Sequence, residues 1–195
     1  MVTLSKGYQI ILATFLIVLM VITRGHHFAT SLHMPDASWA IFFLIGFYTR
    51  PGGWLPALLA LAGFLDYSAI TWGGVSRFCV SPAYWFLLPA YTVMWFSGRW
   101  YATHYTSSRR SIFPLLLSVL GGTALCELLT SGSFYFLSGR FTNTSIIEFA
   151  TRFIDYFPSS LQAVVFYIGL AAMIHIIIEV LTCKRSPTHH TTNGH

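Results

Sequence analysis

The chain has 195 residues, of which 55% are hydrophobic, 17% aromatic and only 9% charged, and its eleven Lys and Arg against six Asp and Glu give a net charge of +5. Soluble domains carry roughly 25% charged residues, so this composition excludes an ordinary soluble protein and predicts an all-α integral membrane protein. The positive balance does not predict nucleic-acid binding, because apart from Arg109-Arg110 and Lys184-Arg185 the cations stand singly and form no basic face.

At about 20 residues per span, the length accommodates about six transmembrane helices. Residues 1–181 read as a single six-helix domain and residues 182–195 as a disordered cytoplasmic tail. A retained first helix runs from about Gly7 to Thr23; the apolar run leads into Arg24-Gly25-His26-His27 without a small-x-small cleavage site. Asp36 is placed to cap a second helix from about Ala37 to Tyr48, and Arg50-Pro51-Gly52-Gly53 makes a turn. The third helix covers about Trp54 to Ile70. A Gly73-Gly74 loop comes next, and Pro82 suits the first turn of a fourth helix reaching about Gly98. After the polar stretch from Arg99 to Arg110, the fifth helix spans about Ser111 to Thr130, with Gly121-Gly122 available for close helix approach. Pro158 divides the apolar stretch from Ser145 to Leu181 into a short amphipathic interfacial helix from Ile146 to Tyr156 and a last span from Ser159 to Leu181.

On six alternating spans, Lys6, Arg50, Arg99, Arg109, Arg110, Lys184 and Arg185 fall on one side, and Arg24, Arg77, Arg140 and Arg152 on the other. The excess of cations places both termini in the cytoplasm. His26, His27, Asp66, Cys79, Tyr84 and Arg152 then share the outward face.

Ionisable groups at membrane ends mark candidate sites. Cys79 supplies a soft sulfur beside Arg77, which favours its thiolate, and that chemistry suits a transition-metal ligand. Asp66 reads either as a solvated carboxylate or as an acceptor for an amide-rich or hydroxylated ligand, and Tyr84 as an interfacial aromatic or part of the same wall. Arg152 has Glu148 four residues before it and Asp155 three after, which predicts a local ion-pair ladder; as a binding group it would clamp a phosphate or carboxamide. His27 is an interfacial histidine or an axial metal ligand. Glu127 and His175 sit at helical depth, where they bond to each other or to backbone. The three cysteines, Cys79, Cys126 and Cys183, lie far apart and form no paired framework. No phosphate loop, His-Glu-x-x-His or Gly-x-Ser-x-Gly signature is present.

The run Asp66-Tyr67, Gly73-Gly74-Val75-Ser76-Arg77-Phe78-Cys79, Pro82-Ala83-Tyr84, with Ser138-Gly139-Arg140-Phe141-Thr142-Asn143-Thr144 and Phe149-Ala150-Thr151-Arg152-Phe153 further on, resembles the BtuM family of predicted bacterial cobalamin transporters. These are similar to the substrate-binding S-components of energy-coupling-factor (ECF) transporters. The resemblance implies an S-component-like six-helix bundle in the bacterial cytoplasmic membrane, open outward. It implies a cobalamin whose cobalt is bound by Cys79, with His27, Asp66, Tyr84 and Arg152 lining the site and His27 as a second axial ligand. It also implies that the thiolate labilises the opposite ligand, so that cyanide is lost. Many S-components dock on a coupling subunit through an Ala-x-x-x-Ala pattern in the first helix; here Ala13 is followed four residues later by Ile17, which puts an energy-coupling module in doubt. Two other readings stay open: a haem or quinone oxidoreductase using His27 or His175, and an S-component for a metal-free vitamin.

Overall fold

A computed structural model describes residues 6–24, 35–49, 51–72 and 81–183. Among these, every regular element is helical. In chain order they are α1 (Lys6–Arg24), α2 (Ser38–Tyr48), α3 (Trp54–Trp72), a 3-10 turn (Pro82–Phe86) running into α4 (Leu87–His104), a second 3-10 turn (Arg109–Ser111) running into α5 (Ile112–Leu137), and α6 (Ile146–Cys183). Among the described residues, four segments are long and apolar enough to cross a membrane: α1, α3, Arg109–Leu137 and Ile146–Ile178. The chain is a membrane protein by that criterion. The other two helices fall short for different reasons. At 1.5 Å per residue the 11 residues of α2 reach about 17 Å, against about 30 Å of hydrocarbon. The 18 residues of α4 are diluted by Thr92, Ser97, Arg99 and His104.

α2 is the centre of the fold. Every residue from Ala40 to Tyr48 is buried, as is Ser38, and the helix is apolar all round, the pattern of a fully enclosed helix. The N-cap position falls on Ala37, one residue after the Asp36 that the sequence suggests, and has no side-chain cap; Asp36 accepts from the Ser38 backbone N–H (2.9 Å) and braces the helix start. α2 packs closely on α4 because both lack a side chain at the crossing. A Cβ on Gly46 would run into the Trp95 carbonyl, and one on Gly98 into the Phe43 carbonyl. Lipid tails are as apolar as leucine, so helix association here rests on such van der Waals approach rather than on hydrophobic transfer. Phe42 stacks on Tyr91 (centroids 4.6 Å apart) and Phe47 on Tyr101 (5.0 Å) across the same seam.

The remaining helices wrap this pair. α1 turns one face inward, through Gln9, Ala13, Leu16, Met20 and Thr23, a helical three-and-four spacing. Its other face exposes Ile11, Phe15, Val18 and Ile22, as lipid contact requires. α3 is peripheral and buries only Leu58 and Ala62. Gly122 on α5 faces Ser97, where a Cβ would lie 2.6 Å from its hydroxyl; Gly121 faces open space. Half of the glycine pair therefore makes the expected close contact. Exposed Trp72 and Trp85 stand at one end of the bundle and exposed Tyr8 and Trp100 at the other, positions that suit aromatic anchors at two membrane interfaces.

Three boundaries differ from the sequence reading. α6 is one continuous helix, so Pro158 does not separate an amphipathic segment from the last span. Proline removes a single bond to the carbonyl four residues back, here that of Ile154, which is exposed and not trapped in the core. α4 continues through Gly98 to His104, because Gly98 is held against α2 rather than ending the helix. α5 extends past Thr130 to Leu137. The 182–195 tail lies outside the described residues apart from the end of α6.

Candidate functional site

Arg24 ends α1 at a bundle end where four other elements converge. Its guanidinium meets Asp66 of α3 side-on: Nε donates to Oδ1 and Nη2 to Oδ2, both at 2.7 Å. Nη1 donates to Ser38 Oγ of α2 (2.9 Å) and to the Tyr91 hydroxyl of α4 (2.7 Å). The Ser38 hydroxyl donates in turn to Asp36 (2.6 Å), whose second oxygen lies 3.8 Å from Arg24. The Tyr84 hydroxyl, from the 3-10 turn, donates to Asp66 Oδ2 (2.7 Å). The Arg24 side chain is 10% exposed and that of Asp66 22%. Four of the five guanidinium N–H groups are thus engaged in a planar, charge-assisted array. One cation faces two carboxylates, and the array carries a net negative charge.

The local sequence explains the convergence. Arg24 is the last residue of a 19-residue, largely apolar helix and Asp66 stands near the end of another; each charge would be expensive alone at that depth and offsets the other when paired. Pro82 fixes the backbone at the first position of the 3-10 turn, which carries Tyr84 back over α3. Thr23 accepts from the Ala37 N–H (3.3 Å) and ties the end of α1 to the start of α2.

Of the residues singled out by sequence, Asp66 and Tyr84 are brought into direct contact. Arg152 is not part of that array. It pairs with Glu148 one turn earlier on α6 (2.9 Å), which is the Glu148 half of the expected ladder, and it lies over the rings of Phe141 (4.9 Å) and Tyr135 (5.5 Å). Ser133 of α5 reaches the Ala83 carbonyl at 3.4 Å, so both clusters belong to one end of the bundle. Cys79, His26 and His27 lie outside the described residues. Arg24 and Tyr91 were missed. Arg24 counted only as an orientation signal, although an apolar helix ending in Arg and another ending near Asp at the same membrane face is the pattern that points to the pair.

The opposite end has a different character. His175 of α6 sits between two tyrosine hydroxyls, with Tyr48 3.2 Å from Nδ1 and Tyr105 3.1 Å from Nε2. Beside it opens a cavity of about 450 Å³ walled by Phe43, Phe47, Tyr101 and Leu115, with Ser108 and Arg109 at its rim. Glu127 does not bond to His175. Its carboxyl accepts from Ser131 and from Ser160 (2.7 Å). Among the described residues no three His, Cys, Asp or Glu side chains come together as a metal site.

No protein-family model matches this chain, and no curated protein matches it.

Proposed function

We propose that this chain binds a corrinoid at the Arg24–Asp66–Tyr84 end and takes it up across the cytoplasmic membrane. The observation that carries the reading is the Tyr84–Asp66 bond. It joins the chain on the two sides of residues 73–80, while Arg24 bonded to Ser38, and Thr23 to Ala37, join the chain on the two sides of residues 25–34. The segments that hold Cys79 and His27 therefore spring from one hydrogen-bonded base. Cys79 is two residues along the chain from Ser81.

In this reading Cys79 is the axial thiolate of cobalt and His27 the ligand on the other face. Tyr84 and Asp66 meet the amide side chains of the corrin, and Arg152 reaches its phosphate or a carboxamide. A corrin offers an apolar rim, many amides and a metal open on two faces, so aromatic walls with a few polar groups and one soft ligand suit it. Because Arg24 and Tyr84 already occupy Asp66, the ligand competes for an acceptor that is held in place rather than free. Loss of cyanide is a ligand exchange without net redox: the thiolate gives an electron pair to cobalt, and cyanide departs with its own.

The finer architecture follows the same reading. In this reading α4 and the shorter α2, which covers only part of the bilayer, are the remaining two of six membrane passages, with both termini cytoplasmic and the site outward, as in an S-component. Ala13 is fully buried inside the bundle, which leaves it unable to present a small-residue surface to a coupling subunit. We take the protein to work without one.

The test is the visible spectrum of the purified protein after incubation with cyanocobalamin. Wild-type protein is expected to retain corrinoid bands shifted from those of the free vitamin, and Cys79→Ser to lose the shift and the release of cyanide. Unchanged spectra in that variant would remove the axial thiolate. A Soret band would favour haem, although both His175 nitrogens already face tyrosine hydroxyls, and a colourless protein indifferent to Cys79 would favour a metal-free vitamin.

A further inference from the structure

Glu127 lies in the middle of α5 and is 3% exposed. Both of its carboxyl oxygens accept hydrogen bonds from hydroxyls, Oε1 from Ser131 on the same helix and Oε2 from Ser160 on α6 at 2.7 Å. Among the described residues no cation answers it: the ion pairs there are Arg24 with Asp36 and Asp66, and Arg152 with Glu148. The titratable and charged groups on the elements around it are engaged elsewhere or stand apart. On α5 itself the neighbour is the buried Cys126 thiol. On α4, Arg99 donates to the Thr49 carbonyl. On the 3-10 turn, Tyr84 donates to Asp66. Arg152, Asp155 and Tyr156 precede Ser160 on α6 by one to two turns, and none hydrogen-bonds or ion-pairs with the Glu127 carboxyl.

An uncompensated carboxylate at membrane depth is costly, and intramembrane carboxyls of this kind mark proton or ion pathways. Which of the two is decided by the donor set. Four oxygens, from one carboxyl and two hydroxyls, fall short of the six to eight that a calcium-like ion takes. Transporter sodium sites add carbonyls from unwound helices, whereas α5 and α6 are continuous here. The hydroxyls also reach the carboxyl directly, which leaves room for a proton and none for a metal ion between them.

A second observation comes from the neighbouring turn. Buried and half-buried threonines in this bundle return their hydroxyl to the carbonyl four residues back: Thr23 to Leu19, Thr49 to Ile45 and Thr130 to Cys126. Thr123, fully buried and one turn from Glu127, does not, and among the described residues its Oγ1 has no hydrogen-bond partner. A buried hydroxyl without a protein partner is a natural station for water. Thr123, Glu127 and Ser131 follow one another at four-residue spacing and so share a face of α5. Outward of them, Ser133 contacts the Ala83 carbonyl beside Tyr84 and Asp66. Thr123, Glu127 and Ser131 thus form a polar stripe on one face of α5, and Ser133, on a different face, ties α5 to the turn that carries Tyr84.

We propose that Glu127 is an intramembrane proton-binding site whose loading and unloading drive uptake, a deepening that rests on the uptake reading above. A proton from the outer side bonds to a carboxyl oxygen of Glu127, neutralises it, and turns one acceptor of the α5–α6 clasp into a donor. Its release on the inner side restores the carboxylate. Ser160 stands two residues after Pro158, where α6 lacks one backbone bond, so the change acts on the helix where it is least braced.

The experiment uses the full-length protein in sealed liposomes, with two readouts. Infrared difference spectra across pH report the C=O stretch of a protonated carboxyl; Glu127→Gln is expected to delete one titrating band and Glu127→Asp to retain it. Radiolabelled cyanocobalamin reports accumulation. A one-unit gradient, acid outside, coupled one-for-one sustains about a tenfold ratio, since each tenfold is about 1.4 kcal/mol. Wild type is expected to reach it, to lose it with a protonophore, and Glu127→Gln to lose it while equilibrium binding persists. Binding without any response of wild type to the gradient overturns the proposal, and so does gradient-driven accumulation by Glu127→Gln. Absence of corrinoid binding by wild type overturns the uptake reading instead, and the infrared band then decides by itself whether Glu127 takes up a proton; absence of that band overturns the site.

Discussion

The two ends of the bundle solve the same problem, polar groups between apolar helices, with opposite chemistry. At one end a buried arginine binds a carboxylate side-on, and a serine and two tyrosines from three further elements join the array. At the other end a histidine stands between two tyrosine hydroxyls beside a cavity of about 450 Å³. The first is charged and interlocked, so each member leaves a buried charge exposed if its partner goes. The second pairs histidine with hydroxyls, and its members can be lost singly at the value of a hydrogen bond. Stability and binding are therefore expected to respond very differently to substitutions at the two ends.

The largest effect is expected from Asp66→Ala. Removing the carboxylate leaves the buried Arg24 with only the longer contact to Asp36 (3.8 Å), and breaking a buried pair from one side costs about 3–5 kcal/mol. The thermal midpoint in detergent checks this. Replacing both partners, as in Arg24→Met with Asp66→Ala, is expected to recover most of the loss, because an apolar substitute carries no desolvation penalty. Equal losses in single and double variants would show that the pair does not hold this end together.

His175→Phe tests the other side of the comparison. It removes both tyrosine bonds without stranding a charge, and about 1–2 kcal/mol is expected from two lost hydrogen bonds of ordinary strength. A loss as large as that of Asp66→Ala would mean that the His175 end is interlocked as well.

How much of this contrast was readable in the sequence depends on what each residue type signals. Asp66 stood out because carboxylates are scarce in an apolar chain, and Tyr84 because Pro82 announces a helix start. Arg24 did not, since a cation at a helix end has the same sequence signature whether it is solvated or buried; only the approach of α3 separates the two. The α2–α4 crossing was equally hidden, because Gly46 and Gly98 are lone glycines on different helices and no spacing within either one marks them. Pro158 misled in the other direction. Its usual reading as a break assumes that the freed carbonyl has nowhere to go, and at the exposed Ile154 that assumption fails.

Tyr84→Phe is a finer probe of the Arg24 end. It removes the hydroxyl that donates to Asp66 but leaves the Arg24 pair intact, so about 1 kcal/mol is expected. If the Tyr84–Asp66 bond closes the base of residues 73–80, corrinoid affinity should fall by more than the midpoint implies. A parallel fall in both would make Tyr84 a purely structural donor.

Arg152→Gln is expected to have the smallest effect on stability and the most informative ratio of binding to stability. The Arg152 and Glu148 side chains are 37% and 47% exposed, so solvent screens the pair and little of the fold's stability rests on it. The rings of Phe141 and Tyr135 hold the guanidinium over them. Arg152→Lys keeps the charge but lacks the planar fork that stacks and that holds carboxamide or phosphate. If Arg152 is a binding arm, both variants should weaken cobalamin binding while the midpoint moves far less than in Asp66→Ala. If both leave binding unchanged, Arg152 belongs to the local ladder with Glu148 alone, and the ligand is held by the Arg24–Asp66 base and by residues 25–34 and 73–80.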